Sequence, residues 1–341
     1  MKISCVLYTT KTNSWKWVII FLSPIAGFRF MVFMSILFRF SSQTLFFFWL
    51  RLEINIISIL PILGARDTFF RREITIKYFI SQSVASIIFL VLFFLVYFFT
   101  SSSLELIFTS AVLFKLGVPP FHRWFLNIII RCPLDSIILI LFVQKFIPLH
   151  ILSKIYSSFI LNCLIMVLTF LLIFFYLKNL SSLRIVLVLS AWGNSLWIIV
   201  SRSVSDRWFI FLIAYGAFLF IVLWAFKFLN APKISILLRY GINIKIMCAV
   251  RLLNLAGLPP FSGFFAKLFL IKTIINFTPL FLIFMLLNTS LLVLLSYTFL
   301  SFYFLASQSP RINSFPFPAQ KFFYSSGLFI FLAFPIFNLF I

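Results

Sequence analysis

Lys115-Leu-Gly-Val-Pro-Pro-Phe-His122 places a lysine inside an apolar run and, four residues later, two prolines that interrupt the helix carrying it. In hydrocarbon, a charge and an unsatisfied backbone are both costly, so neither is expected without a polar partner or a water-lined cavity. The same problem recurs in Gly257-Leu-Pro-Pro-Phe-Ser-Gly-Phe-Phe-Ala-Lys267, where the Pro-Pro pair comes first and the lysine follows. Proline-interrupted hydrophobic segments in two separate halves of a membrane protein point to an ion or substrate path.

Outward from these stretches, the composition supports a membrane setting. The 341 residues are 63% hydrophobic and only 10% charged, against roughly 25% charged in ordinary globular chains. Mean hydropathy is +1.18. A polytopic, all-α membrane protein is predicted. Met1 to Lys16 is short and mixed, so no cleavable leader is expected. In a soluble protein a net charge of +22 would suggest nucleic acid. Here the basic residues lie between and within apolar runs, as the positive-inside bias arranges them, and no nucleic-acid partner is expected. The 52 Phe exceed what packing requires and suit the coding bias of a small organellar genome. Cys5, Cys132, Cys163 and Cys248 form no C-x-x-C pair, and His122 and His150 are the only histidines. No metal site or redox cofactor is expected in the chain.

Apolar runs of about 17–25 residues mark spans. They lie near 18–38, 43–63, 76–99, 104–126, 135–155, 158–177, 183–202, 208–229, 246–272, 278–304 and 322–341. The connections, such as Gly64 to Arg72 with its basic cluster, leave no room for an extramembrane domain. A single transmembrane domain over 1–341 is expected, and no soluble catalytic motif is visible.

Of the six acidic residues, Asp67, Glu73, Glu105, Asp135 and Asp206 fall in or beside connections or span ends. Glu53 lies within a span and should be protonated or paired there. Arg51, two residues away on the same helix, does not face it. Lys115 is one candidate partner and Lys145 another, with Pro148 expected to loosen the backbone just beyond. Burial favours a neutral amine and a nearby carboxylate favours the ammonium, so an approaching and withdrawing carboxylate lets a lysine bind and release a proton. Snorkelling to the interface suits Lys178 and Lys272 near span ends, but poorly suits Lys115, Lys145 and Lys267. Pro119-Pro120 and Pro259-Pro260 also free carbonyls of the preceding turns. His122 and Ser262 are the expected side-chain help, together with water.

The chain resembles the chain 2 family of NADH–ubiquinone oxidoreductase, the antiporter-like subunits of animal mitochondrial complex I. The resemblance runs through Leu52-Glu-Ile-Asn55, Ile76-Lys-Tyr-Phe79, Lys115 to His122 with Trp124, and Gln144-Lys145 with Pro148. It continues through Leu183-Arg184 and Gly257-Leu-Pro-Pro260 with Gly263 and Lys267, covering about residues 43 to 270. It implies two inverted helix repeats, each with one broken helix, over about 18–177 and 183–304, followed by a C-terminal helix at about 322–341. It implies a proton channel driven by distant quinone reduction. Glu53, Lys115, Lys145 and Lys267 then stand as the proton relay, with Pro119, Pro120, His122, Pro148, Gly257, Pro259, Pro260 and Ser262 in support. The implied partners are other membrane-arm subunits, including neighbouring antiporter-like chains, and the lipid bilayer. The implied location is the mitochondrial inner membrane. NADH, flavin, iron–sulfur clusters and ubiquinone would be used elsewhere in the complex. Four positions depart from the family pattern: Arg51, where a small residue is usual; Arg123, where an aromatic is common; Ile185, a usual lysine; and Asn194, often histidine.

Two rival readings are a stand-alone or multi-subunit cation/proton antiporter, expected to be longer, and a purely structural scaffold. The scaffold has little use for Glu53 and three buried lysines. The positive-inside rule predicts more Lys and Arg in the connections at the matrix side than at the other side. Topology mapping by protease protection or tag accessibility checks this, and most basic connections facing the intermembrane space would contradict it.

Overall fold

A computed structural model describes residues 24–37, 45–65, 69–98, 102–155, 159–178, 180, 182–204, 207–229, 236, 238 and 240–306. The helices are α1 (Pro24–Leu37), α2 (Leu45–Gly64), α3 (Phe69–Phe98), α4 (Ser102–Leu116), α5 (Arg123–Arg131), α6 (Leu134–Leu141) and α7 (Phe146–Lys154). They continue as α8 (Phe159–Leu177), α9 (Leu183–Ser201), α10 (Trp208–Phe228), α11 (Ile242–Ala256), α12 (Ser262–Ile274) and α13 (Leu280–Ala306). A 3₁₀ turn, Val143–Lys145, joins α6 to α7. Among the described residues seven stretches, counting α6 through α7 as one, are long and apolar enough to cross a membrane.

The expected spans match these helices closely, with one correction. The stretch Gly64 to Arg72 is expected to be a connection, but α3 begins at Phe69 and takes up Arg71 and Arg72. Glu73 explains the extension: one turn into α3, its carboxylate pairs with Lys77 on the same helix and with Arg131 of α5 at 2.5 Å. The expected span at 322–341 lies outside the described residues, as does the start of the one at 18–38.

The apolar core divides by depth into two clusters, and the helices pass from one to the other in turn. α2 contributes Phe48 and Leu52 to one cluster, then Ile56, Ile59 and Leu63 to the other. α3 returns, with Ile74 and Tyr78 in the second cluster and Phe89 and Leu92 in the first. The broken segment α4–α5 crosses from Val112 to Ile128, and α11–α12 crosses the opposite way, from Leu252 to Leu270. The short connections leave no alternative, since a span joined by a few residues must run back beside its predecessor. The two broken helices therefore run in opposite directions.

The end near the second cluster holds Arg71, Arg72, Lys77, Arg131, Lys178, Arg184, Lys227 and Lys245, whereas Lys154, Arg202, Arg207 and Lys272 stand at the other. Arg184 donates to the Ile130 carbonyl, and Lys227 pairs with Asp135 at 2.6 Å, tying helix ends together on the basic side.

α9 is central. It buries every residue except Arg184 and Ile185, as expected of a helix apolar on all sides. Within their most apolar windows α9 is 89% buried, against 28% for α8 and 33% for α13, which marks the last two as peripheral. Their outward faces carry Ile160, Leu164 and Phe175, and Phe284, Leu291 and Phe299, a surface suited to lipid.

Gly216 on α10 lets the Phe142 ring, at the α6–α7 bend, lie where a Cβ would approach it to 2.2 Å. Gly216→Ala should destabilise the protein by about 1–3 kcal/mol through overpacking. At Gly27 and Gly241 an added Cβ would meet nothing within 4 Å, so both should accept alanine with little change. Thermal unfolding in mild detergent checks the contrast.

Candidate proton-transfer site

Both broken helices stop by the same device. Gly117 and Gly257 adopt left-handed backbone, φ +65° and +84°, which glycine reaches without the penalty of a Cβ. Gly117 N–H donates to Phe114 O at 3.1 Å and Val118 N–H to Leu113 O at 3.4 Å. The counterparts are Gly257 to Asn254 O at 3.1 Å and Leu258 to Leu253 O at 3.4 Å. Each set is a Schellman cap, with an apolar residue, Val118 or Leu258, following the glycine. The proline pair follows inside a turn closed by Phe121 N–H to Val118 O, 3.0 Å, or by Phe261 N–H to Leu258 O, 2.9 Å. The sequence Gly-apolar-Pro-Pro-Phe thus encodes a cap and a turn, twice.

The side chains that answer the exposed carbonyls differ from those expected. Trp192 of α9 donates to Gly117 O at 3.0 Å, Trp124 to Phe114 O at 3.1 Å, and Gln82 to Lys115 O at 3.4 Å. At the second break Lys267 itself donates to Ala256 O at 2.7 Å. His122 instead meets the Pro120 carbonyl at 3.0 Å, and its ring stands edge-on to Trp192. The Ser262 hydroxyl donates to Asn254 Oδ1 at 3.1 Å, and Gly263 N–H donates to the same oxygen at 2.9 Å. Asn254, on α11, therefore caps the first turn of α12, which has no side-chain cap from Phe261. Two indoles, the Gln82 amide and the Lys267 amine carry much of the support that His122 and Ser262 were expected to give. Large side chains on neighbouring helices reach carbonyls that a residue adjacent in sequence cannot face.

Pro148 is a second correction. It sits in the first turn of α7, where proline is tolerated, and the irregular backbone precedes it, at Phe142 to Lys145. A proline removes the bond to the carbonyl four residues back and crowds it, so the disturbance falls around Gln144, upstream.

The four proposed relay residues lie near the boundary between the two core clusters. Glu53 falls between Leu52 and Ile56, Lys115 one turn before the first break, Lys145 between Leu141 and Phe146, and Lys267 just inside α12. Glu53 is half-buried and acts electrostatically on Lys115. Lys115 is 6% exposed, and its ammonium nitrogen has no hydrogen-bond partner among the described residues. Lys145 is 3% exposed, donates to Ala191 O at 2.9 Å and lies over the Phe125 ring at 5.7 Å. No two of the four share a hydrogen bond among the described residues. Because the broken helices are antiparallel, a lysine before one break and a lysine after the other lie on the same side of their breaks. This gives the reversed order of lysine and prolines a geometric meaning.

Further polar residues join this layer. Tyr78, 1% exposed, accepts a hydrogen bond from Gln144, the residue before Lys145, and lies within the field of Glu53. Ser190 and Asn194 on α9 face the buried Tyr215 hydroxyl, and Tyr297 approaches Ser190, without well-aligned hydrogen bonds at either tyrosine oxygen. Asn194, the departure from the family pattern, is thus buried among hydroxyls, whereas Ile185 is partly exposed at the start of α9. Tyr78 and Gln144 escape a reading based on charge because both are neutral. Their clue is a polar atom inside an apolar run.

An all-helical, multi-pass membrane subunit with two opposed broken helices is the class this fold and site define. Its backbone is similar to a chain of respiratory complex I from Thermus thermophilus with bound aureothin, at TM-score 0.74 and 15% identity over 91% of this chain and 77% of that one. No family model matches. NADH–ubiquinone oxidoreductase chain 2 of Myxine glutinosa is 32% identical over 279 residues, 76% of this chain and 80% of that protein. The Artemia franciscana chain 2 is 30% identical over 247 residues, 69% and 76%. The chain belongs to the NADH–ubiquinone oxidoreductase chain 2 family.

Asn254→Ala should leave the Ser262 hydroxyl and the Gly263 N–H unpaired in a dry interior, costing about 1–3 kcal/mol. Asn254→Asp keeps the acceptor and should cost less. Thermal unfolding of the assembled protein checks the order.

Proposed function

We propose that this chain is a proton-translocating subunit of the membrane arm of respiratory complex I, in the mitochondrial inner membrane, with no redox cofactor of its own. Family membership supports the assembly and its membrane setting. Glu53, Lys115, Lys145 and Lys267 are the proposed carriers, and the basic end is the proposed matrix side. The two opposed broken helices are read as the centres of inverted repeats over about 18–177 and 183–304. Other antiporter-like chains and membrane-arm subunits are the proposed neighbours.

The observation that carries this reading is the Lys115 amine, buried in the bundle within the field of Glu53 and without a hydrogen bond among the described residues. A permanently structural cation at that position would be expected to have its N–H groups satisfied, since an unmade hydrogen bond to a buried charge is costly. An amine whose charge depends on a nearby carboxylate can instead bind and release a proton as that carboxylate changes state. The bonds from Lys145 and Lys267 to main-chain oxygens serve a neutral amine as well as an ammonium, because both forms can donate.

Lys145 tests the reading. Lys145→Met keeps the apolar stem and removes titration, so assembly should survive while pumping falls about a hundredfold or more, the scale attributed to a positioned proton-transfer group. Lys145→Arg keeps a fixed charge, since arginine does not deprotonate in proteins, and should fail nearly as badly. Proton uptake and quinone-reductase rate are measured in membranes and normalised to assembled complex. Normal pumping with Lys145→Arg rules the carrier role out. Co-purification with flavin and iron–sulfur subunits in mild detergent separates this function from that of a free-standing antiporter.

A further inference from the structure

α5 is amphipathic in the opposite sense to a lipid-facing helix. It buries Phe125, Leu126, Ile128 and Ile129 against the bundle. Its exposed residues are Arg123, Asn127 and Arg131, each one turn after the last. Peripheral α8 and α13 instead turn phenylalanine, leucine and isoleucine outward. Arg131, at the basic end, is held by Glu73. Arg123 stands eight residues earlier, about 12 Å deeper at 1.5 Å per residue. It also lies between Val118 of one core cluster and Phe125 of the other. In hydrocarbon about 30 Å thick, that is close to mid-depth. A helical side chain leans toward the N-terminus of its helix, which aims Arg123 inward and away from the nearer membrane surface.

Among the described residues no carboxylate pairs with it. Arg123 makes no ion pair or hydrogen bond among the described residues, and the charge it influences is another base, His122. Glu73 and Asp135 are engaged at the basic end and Glu53 acts on Lys115. By position in the sequence, Asp67 and Asp206 lie between helices and Glu105 lies in the first turn of α4. A lipid-facing arginine at this depth is strongly unfavourable, and lipid phosphates lie at the surface.

We propose that the Arg123–Asn127 face of α5 docks a transmembrane helix of a neighbouring chain that carries a carboxylate at mid-depth opposite Arg123. The planar guanidinium pairs bidentately with a carboxylate, and Asn127 offers both a donor and an acceptor one turn toward the surface.

The test uses the assembled complex. Arg123→Glu should lower assembly at least tenfold, while Arg123→Lys should assemble close to normally. In the lysine variant a membrane-permeant carbodiimide should couple position 123 to a carboxylate, and mass spectrometry should find that carboxylate in another chain. Asn127→Cys should resist a membrane-impermeant maleimide in the intact complex, measured against the unsubstituted protein, and react once the subunits are separated. Normal assembly of Arg123→Glu, cross-links confined to this chain, or full labelling of Asn127→Cys in the intact complex would each overturn the proposal. The last result would identify a water-lined face instead.

Discussion

A peptide carbonyl freed in hydrocarbon must find a donor inside the protein, and much of this bundle follows from how that demand is met at two proline pairs. The Schellman caps at Gly117 and Gly257 use the last amides of each half-helix, and neighbouring helices supply the remaining donors. Trp192 comes from α9, Gln82 from α3 and Trp124 from just past the break. The second break is closed by its own other half, through Asn254 and Lys267. The same interruption is thus solved by clamping between helices in one case and by self-stitching in the other. That difference places Trp192 and the Lys145 contact on adjacent residues of one central helix.

Near the boundary between the two apolar clusters the structure gathers Glu53, Lys115, Lys145 and Asn194, with the hydroxyls of Tyr78 and Tyr215 reaching in from the second cluster. Such a layer is expensive to desolvate, and its members are supported mainly by carbonyls, amides and hydroxyls rather than by direct ion pairs. Main-chain oxygens hold an amine in place without fixing its protonation state, whereas a tight carboxylate partner would favour the charged form.

The fold was largely readable in the chain because hydrocarbon imposes few solutions. Span length, the two Gly-apolar-Pro-Pro-Phe motifs and the lysines set in apolar runs located the helices, their breaks and the charged residues to within a few positions. What escaped the sequence had physical reasons. The start of α3 was hidden by its arginines, which look like a connection until Glu73 and Arg131 are seen to pair across helices. Trp192 read as an ordinary apolar residue because an indole reveals its donor only when a distant carbonyl faces it. Pro148 was expected to loosen the backbone just beyond Lys145, whereas the irregular turn lies at Phe142 to Lys145, four residues back from the proline ring. Tyr78 and Gln144 carry no charge, so each shows in the sequence only as a polar atom inside an apolar run, and their contact across 66 residues of sequence separation is what joins them.

The near-total burial of α9 bears on how fast such a layer can work. A helix enclosed on all sides, with Gly193 packed close to Val293, has no free surface along which to slide, so shifting it would mean repacking both clusters. Side-chain rotation is the cheaper motion, and exposed rotamers interconvert in picoseconds to nanoseconds while collective helix shifts take microseconds to milliseconds. The bundle is built like a stator. Its fixed frame leaves the few polar side chains near its equator as the groups that can reorient without repacking the bundle.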